Sequence, residues 1–293
     1  MNHKPTDIHP VSFEYGFLPV EMRMPLKFGG ESVSHVNCLR VAAEVVDSAG
    51  RRAEGWGETP LSVTWAWPSA TLSYDERYEA MVAFCKFTAQ AFVEVNESGH
   101  PMEIGHVFLA ERLPLVLEAF NKSHSTEPIP YLAALIVVSA FDIALHDAYG
   151  NLHQIDIYDT YTKEYMTQDL SHYFRSSPEA DRFQGLFPSD FLEEQPSVKV
   201  PVWHLVGGLD PLEESDKKES DPKDGYPVTL TEWIKSDGLR CLKIKHDPKN
   251  RIRNKSGRKK NRKCWKVTKA EPKQNFKCIF SISNCKLSLC NIK

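Results

Sequence analysis

The sequence predicts an α+β domain, an antiparallel meander with helices, followed by the start of an α/β unit and a disordered basic tail. Three observations predict it. Roughly the first sixty residues alternate like strands, the middle of the chain places apolar residues three and four apart, and the charge balance reverses near residue 245. Residues 1–245 hold 21 Lys+Arg and 37 Asp+Glu, whereas residues 246–293 hold 15 and 2, so the formal total of −3 is the sum of −16 and +13.

Val11 to Val20, His35 to Asp47 and Arg51 to Glu58 are rich in β-branched and aromatic residues, and Ser48-Ala49-Gly50 reads as the hairpin turn between the last two. Ser73 and Glu76 have the spacing of a capping box, and Tyr78, Met81, Val82, Cys85, Ala89, Phe92 and Val93 form a core stripe behind it. A second helical stretch, Met102 to Phe120, is interrupted at Pro114. A third runs from Pro130, suited to a first helical turn, to Gly150, suited to the residue past a C-cap. Val200 to Val206, Thr229 to Ser236 behind a Thr N-cap, and Arg240 to Lys245 then give strand, helix, strand, the order that favours parallel pairing. Between them, Asp210 to Asp224 has 10 charged residues in 15, which reads as a solvated loop.

Composition excludes some classes. The longest apolar stretch, Leu132 to Ala140, is shorter than the ~20 residues of a membrane span, so no membrane partner is expected. Met1 to Pro10 is polar and is not followed by the apolar h-region of a secretory signal, so no such signal is expected. Seven cysteines without a secretory signal lead to the expectation of reduced thiols and a cytoplasmic location.

Three segments resemble the enolase superfamily, and within it the mandelate racemase and muconate lactonizing enzyme group. Gly55-Trp56-Gly57-Glu58 looks like the Gly-x-Gly-Glu end of the third strand of that family's N-terminal capping domain. Ala140-Phe141-Asp142-Ile143-Ala144-Leu145-His146-Asp147-Ala148-Tyr149-Gly150 is similar to its A-x-D-x-A-L-x-D-x-x-G helix, with Gln154 standing where a glycine is usual. Leu242-Lys243-Ile244-Lys245 looks like the Lys-x-Lys motif of the second barrel strand. The resemblance implies a capping domain over residues 1–155, a connecting segment and first βαβ of an incomplete TIM-type barrel over 156–245, and an unrelated basic tail over 246–293.

Residues two apart on a strand share a face, so Lys243 and Lys245 point one way and Leu242 and Ile244 the other. A nearby ammonium lowers a lysine's pKa towards that of a usable base. By resemblance Lys245 abstracts the proton α to a carboxylate, Lys243 assists and contacts the substrate, and Mg²⁺ stabilises the enediolate. On the pattern alone, Lys-Ile-Lys also fits a solvated edge strand. The resemblance further implies two specificity loops, Glu21 to Gly30 and Trp56 to Trp67. Arg23 and Lys27 would bind an anionic group, and Trp56, Trp65 and Trp67 would form an aromatic wall. Core packing for the tryptophans and a surface charge for Arg23 are the alternatives. Asp142 and Asp147 would be structural residues of the capping helix, not metal ligands.

The family's metal carboxylates sit on later barrel strands, and a full barrel needs ~200 residues or more. After Lys245 only Asp247 and Glu271 are acidic. The expectation is a chain that is truncated or frame-shifted after about Lys245, lacks metal ligands and is inactive as it stands, although full-length relatives take Mg²⁺ and a carboxylate substrate and are often homo-oligomers. The rival expectation takes the tail at face value. Eight Lys+Arg between Arg251 and Lys263, with Trp265, Phe276 and Phe280 beyond, would bind nucleic acid or another polyanion. The tail cysteines lack a CxxC knuckle and predict no zinc site.

Overall fold

The computed structural model describes residues 3–28, 31–95, 97–124, 127–207, 210–245, 277–281 and 289–291. They divide into two units, 1–21 with 35–196, and 22–34 with 197–293.

The first unit is built on a three-stranded sheet in the order β1 (Ile8–Phe28), β2 (Glu31–Asp47) and β3 (Arg52–Pro60). β2 and β3 pair antiparallel, with Val41 opposite Gly57 and Ala43 opposite Gly55. Alternation sends Leu39, Val41, Ala43 and Val45 into the core, while Arg40, Glu54, Trp56 and Glu58 line the other face. The turn is closed by Asp47, whose carboxylate accepts from the backbone N–H groups of Ala49 and Arg51.

Short α1 (Val63–Ala66) precedes α2 (Tyr74–Glu94), which starts at Ser73 with both halves of the capping box formed. α3 (Pro101–Val107) opens at His100, whose side chain accepts from the Met102 N–H. Expected as one helix broken at Pro114, this stretch continues instead through a π-helical turn, Phe108–Arg112, into α4 (Leu113–His124). The wider turn lies just ahead of Pro114, which has no N–H to give to a regular ladder. α5 (Tyr131–His153) is long and apolar enough to cross a bilayer by length and composition, yet eleven of its residues are buried in the protein core. Pro130 is its N-cap. Gly150, expected past its end, is inside it, and Gln154 is the residue that turns left-handed, at φ 54°. A Cβ on Gly150 would sit 3.0 Å from the Ile155 carbonyl, so close packing is its role. α6 (Leu170–Tyr173) and short 3₁₀ turns come next.

The second unit holds a four-stranded sheet in the order β4 (Trp203–Val206), β5 (Cys241–Lys245), β6 (Lys277–Ser281) and β7 (Leu289–Asn291). α7 (Leu230–Asp237) connects β4 to β5, starting at a Thr229–Glu232 capping box and ending at Gly238 with φ 61°. β4, β5 and β6 are parallel and β7 is antiparallel. Two corrections concern this unit. The tail expected to be disordered supplies two strands, because Cys278-Ile279-Phe280 and Leu289-Cys290 are apolar, the first pairing along the edge of β5 and the second along β6. The expected loop at Glu21 to Gly30 is strand as far as Phe28, with Leu18, Val20, Met22, Met24 and Leu26 alternating against Pro19, Glu21, Arg23, Pro25 and Lys27. The basic run from Arg251 to Lys263 lies outside the described residues.

Candidate functional site

The lysine motif occupies β5. On one face Leu242 is buried with Val206 and Leu239, and Ile244, Leu230, Trp233 and Ile234 pack against them, so α7 covers this side. Lys243 is on the opposite face and exposed, beside Leu205 in the parallel register. β5 is paired on both sides, by β4 and by β6, so the lysines do not lie on an edge strand. Lys245 ends β5, and its side chain, like that of Lys27, lies outside what is described.

Arg23 is already engaged. Its Nε and Nη2 donate to the two Asp224 carboxylate oxygens at 2.6 and 2.7 Å, Nη1 donates to the Pro227 carbonyl and Nη2 also to that of Tyr226. The Tyr226 ring stacks 5.8 Å from the guanidinium carbon. This bidentate pairing holds the Asp224 carboxyl down at about 2. The expected anion site is therefore filled by the chain's own carboxylate, from the charged segment that the sequence leaves as solvated loop. Lys217 in that segment is similarly held by Glu214 and Glu232.

The three tryptophans do not form a wall. Trp67 is 0% exposed in the core, its indole N–H donating to Glu127 at 2.7 Å. Trp65 is 54% exposed on α1. Trp56, also exposed, lies on the outer face of β3, where its indole donates to Glu54 of the same strand. The strand alternation that buries Gly55 and Gly57 against α5 turns Trp56 outward.

The two segments that resemble capping-domain motifs belong together physically. A Cβ on Gly55 would lie 2.5 Å from the Ala148 Cα and 2.6 Å from the Ala144 carbonyl oxygen, and a Cβ on Gly57 would lie 2.7 Å from the Ala144 amide nitrogen. The glycines on β3 and the alanines at 140, 144 and 148 on α5 thus let a helix lie directly on a strand. Asp147, exposed beside this contact, accepts from the free Trp56 N–H of edge strand β3 at 2.8 Å, and Asn151 donates to the Glu54 carbonyl. That is the structural role expected of Asp147. At Asp142 the backbone carbonyl receives the His146 ring at 2.9 Å, and burial raises the pKa of its carboxyl.

Sequence reading passes over His100, which is fully buried. Its Nδ1 accepts from Met102, which leaves Nε2 as the donor to Thr160 Oγ1 at 2.9 Å, and Thr160 donates on to the Ile157 carbonyl. Burial, with His146 and His153 nearby, pushes its pKa down to about 3. The signal in the sequence is His100-Pro101 with Glu103 three positions on, a capping box with an unusual first residue.

Among the described residues no three of His, Cys, Asp and Glu come together to hold a metal ion. The donor set that Mg²⁺ needs is not assembled by the described residues.

No protein-family model matches the chain, and no curated protein matches it in sequence. Solved structures do. An enolase from Bradyrhizobium complexed with magnesium and mandelic acid is 12% identical over 82% of this chain and 46% of its own, with a TM-score of 0.38. A dipeptide epimerase from Methylococcus capsulatus complexed with Mg and the dipeptide L-Arg-D-Lys is 16% identical over 81% and 46%, with a TM-score of 0.41. A mandelate racemase/muconate lactonizing enzyme-like protein from Rubrobacter xylanophilus is 18% identical over 52% and 33%, with a TM-score of 0.28. The chain spans less than half the length of each of the three. The solved structures it is similar to are enolase-superfamily members, the superfamily whose motifs the sequence resembles.

Proposed function

We propose that residues 1–245 carry the capping module and first βαβ unit of an enolase-superfamily enzyme, whose reaction is proton abstraction α to a carboxylate, leading to racemisation, dehydration or cycloisomerisation. The observation that carries this reading is the pairing of two distant motifs: Gly55 and Gly57 are required by the helix that bears Ala140, Ala144, Asp147 and Ala148. Two segments far apart in the chain match the family pattern and meet in space. Further support comes from β5, where Lys243 faces away from the covering helix α7, as a lysine aimed at a barrel interior would. In this reading Lys245 is the base and Lys243 its electrostatic partner. The full enzyme takes Mg²⁺ and a small carboxylate, while residues 1–293 by themselves turn over nothing.

The test is α-proton exchange. Purified protein is incubated in D₂O with Mg²⁺ and a library of acid-sugar, mandelate-type and dipeptide carboxylates, and monitored by NMR. No exchange dependent on Lys245 is expected. Exchange that disappears in Lys245→Ala would overturn the proposed inactivity. Binding of polyanions by the basic tail, favoured by its eight Lys+Arg in thirteen residues, predicts salt-sensitive nucleic-acid affinity that is lost on deleting residues 246–293.

A further inference from the structure

β3 ends the three-stranded sheet, so every second residue along it, Glu54, Trp56 and Glu58 among them, turns its backbone N–H and C=O away from β2 towards the outer edge. Such an edge is a template for another strand. Here side chains of a helix occupy it. Ser139, Ile143, Asp147 and Asn151 stand four apart and form one ridge of α5. At one end of the ridge Ser139 Oγ and Thr59 Oγ1 share a hydrogen bond of 2.9 Å. At the other, Asp147 Oδ2 accepts from the Trp56 N–H at 2.8 Å, and Asn151 Nδ2 donates to the Glu54 carbonyl at 2.9 Å. The spacings keep step, because four helical residues rise about 6 Å and two strand residues about 6.6 Å. The Glu54 C=O and the Trp56 N–H, on either side of Gly55, are the two groups that one residue of a parallel neighbouring strand would engage. Asn151 Nδ2 also donates to Asp147 at 3.2 Å, which holds the donor and the acceptor side by side.

We propose that Asp147 and Asn151 act as a surrogate strand that closes the β3 edge, and that a second copy of this chain pairs along β3 once they are removed. Gly55 and Gly57 make the closure possible, since they bring the α5 backbone near enough for short Asp and Asn side chains to reach the edge. Asp147, Asn151, Glu54, Trp56 and Glu58 are all exposed, so the edge is open to another chain. A second copy fits it in one register. Antiparallel pairing about Trp56 sets the two indoles, each 54% exposed, against one another on the outer face, a cross-strand aromatic pair. The same register puts Glu54 of each copy opposite Glu58 of the other, and these like charges are a second barrier that salt weakens.

Amide exchange followed by NMR, with sedimentation at a series of protein concentrations, tests this on the full chain in about 0.5 M salt, which screens the facing carboxylates. In the double variant Asp147→Ala, Asn151→Ala the Trp56 amide should exchange about tenfold faster in dilute solution, as expected for one lost hydrogen bond. It should regain protection as the protein is concentrated and sediments as a pair. Local loosening alone gives fast exchange at every concentration. The wild type should keep one slow rate throughout, and so should Asp147→Asn, which retains an acceptor oxygen. Asp147→Ala alone, a change that suits an exposed helix position, repeats the test should the double variant fold poorly. An unchanged Trp56 rate, fast exchange independent of concentration, or Asp147→Asn behaving like the alanine variants would each overturn the proposal.

Discussion

Gly57→Ala is the sharpest perturbation of the helix-on-strand contact. The added methyl would stand 2.7 Å from the Ala144 nitrogen, with the Ala140 carbonyl oxygen closer still, against an ordinary contact of about 3.4 Å or more. Both obstacles are backbone, so no rotamer change relieves them, and α5 must retreat by roughly 1 Å. A gap of that size forfeits a quarter to a half of the dispersion energy of the atoms lining it. Overpacking alone costs about 1–3 kcal/mol, and with the lost contact between α5 and β3 the total should reach about 3 kcal/mol. For a unit of this size that lowers Tm by roughly 6 to 12 °C. Urea unfolding monitored by circular dichroism measures it, with Gly16→Ala as the control, since a Cβ there meets nothing within 4 Å. The double variant Gly57→Ala, Ala140→Gly should not recover, because trimming a side chain leaves the carbonyl in place. A loss below about 1 kcal/mol, or recovery in the double variant, would refute the reasoning.

Single residues give further expected outcomes. His100 is held neutral in the folded state at about 3 against 6.5, so its contribution is complete above pH 6.5 and is lost as pH falls towards 3. The upper bound is roughly 5 kcal/mol. Urea titrations from pH 7 to 4 should have a flatter pH dependence in His100→Gln, with a residual slope from His106, whose pKa burial also lowers; equal slopes would contradict this. Gln154→Gly relieves the positive φ of 54° and should stabilise by about 0.5–1 kcal/mol, read as a raised urea midpoint. Residues 191–202 are exposed throughout, so among the described residues limited trypsin digestion should cut first after Lys199 and endoproteinase Glu-C after Glu193 or Glu194.

The elements legible in the sequence are those with local chemistry of their own. Strand alternation in β2 and β3, the Ser73–Glu76 and Thr229–Glu232 boxes, and the faces of β5 all depend on residues a few positions apart. What escapes depends on distant partners. Nothing near Arg23 reveals that Asp224, some two hundred positions on, occupies its guanidinium, and nothing near Trp67 reveals that Glu127 receives its indole. Gly150 is ambiguous for a related reason: glycine serves both helix ends and close packing, and only the position of Ile155 distinguishes the two. Gln154 stands out as a missing glycine by resemblance alone, and its left-handed backbone explains why that position favours one.

The central proposal is that the acidic, enolase-like pattern of the sequence runs to about Lys245 and that residues 246–293, although β6 and β7 extend the sheet, do not carry that pattern on. Reading the other two frames of the encoding DNA downstream of the Lys245 codon tests this most directly. The account predicts that one of them continues the βα alternation, with Asp or Glu closing successive strands. Two frames without such strands, together with a full-length transcript in the present frame, would contradict it.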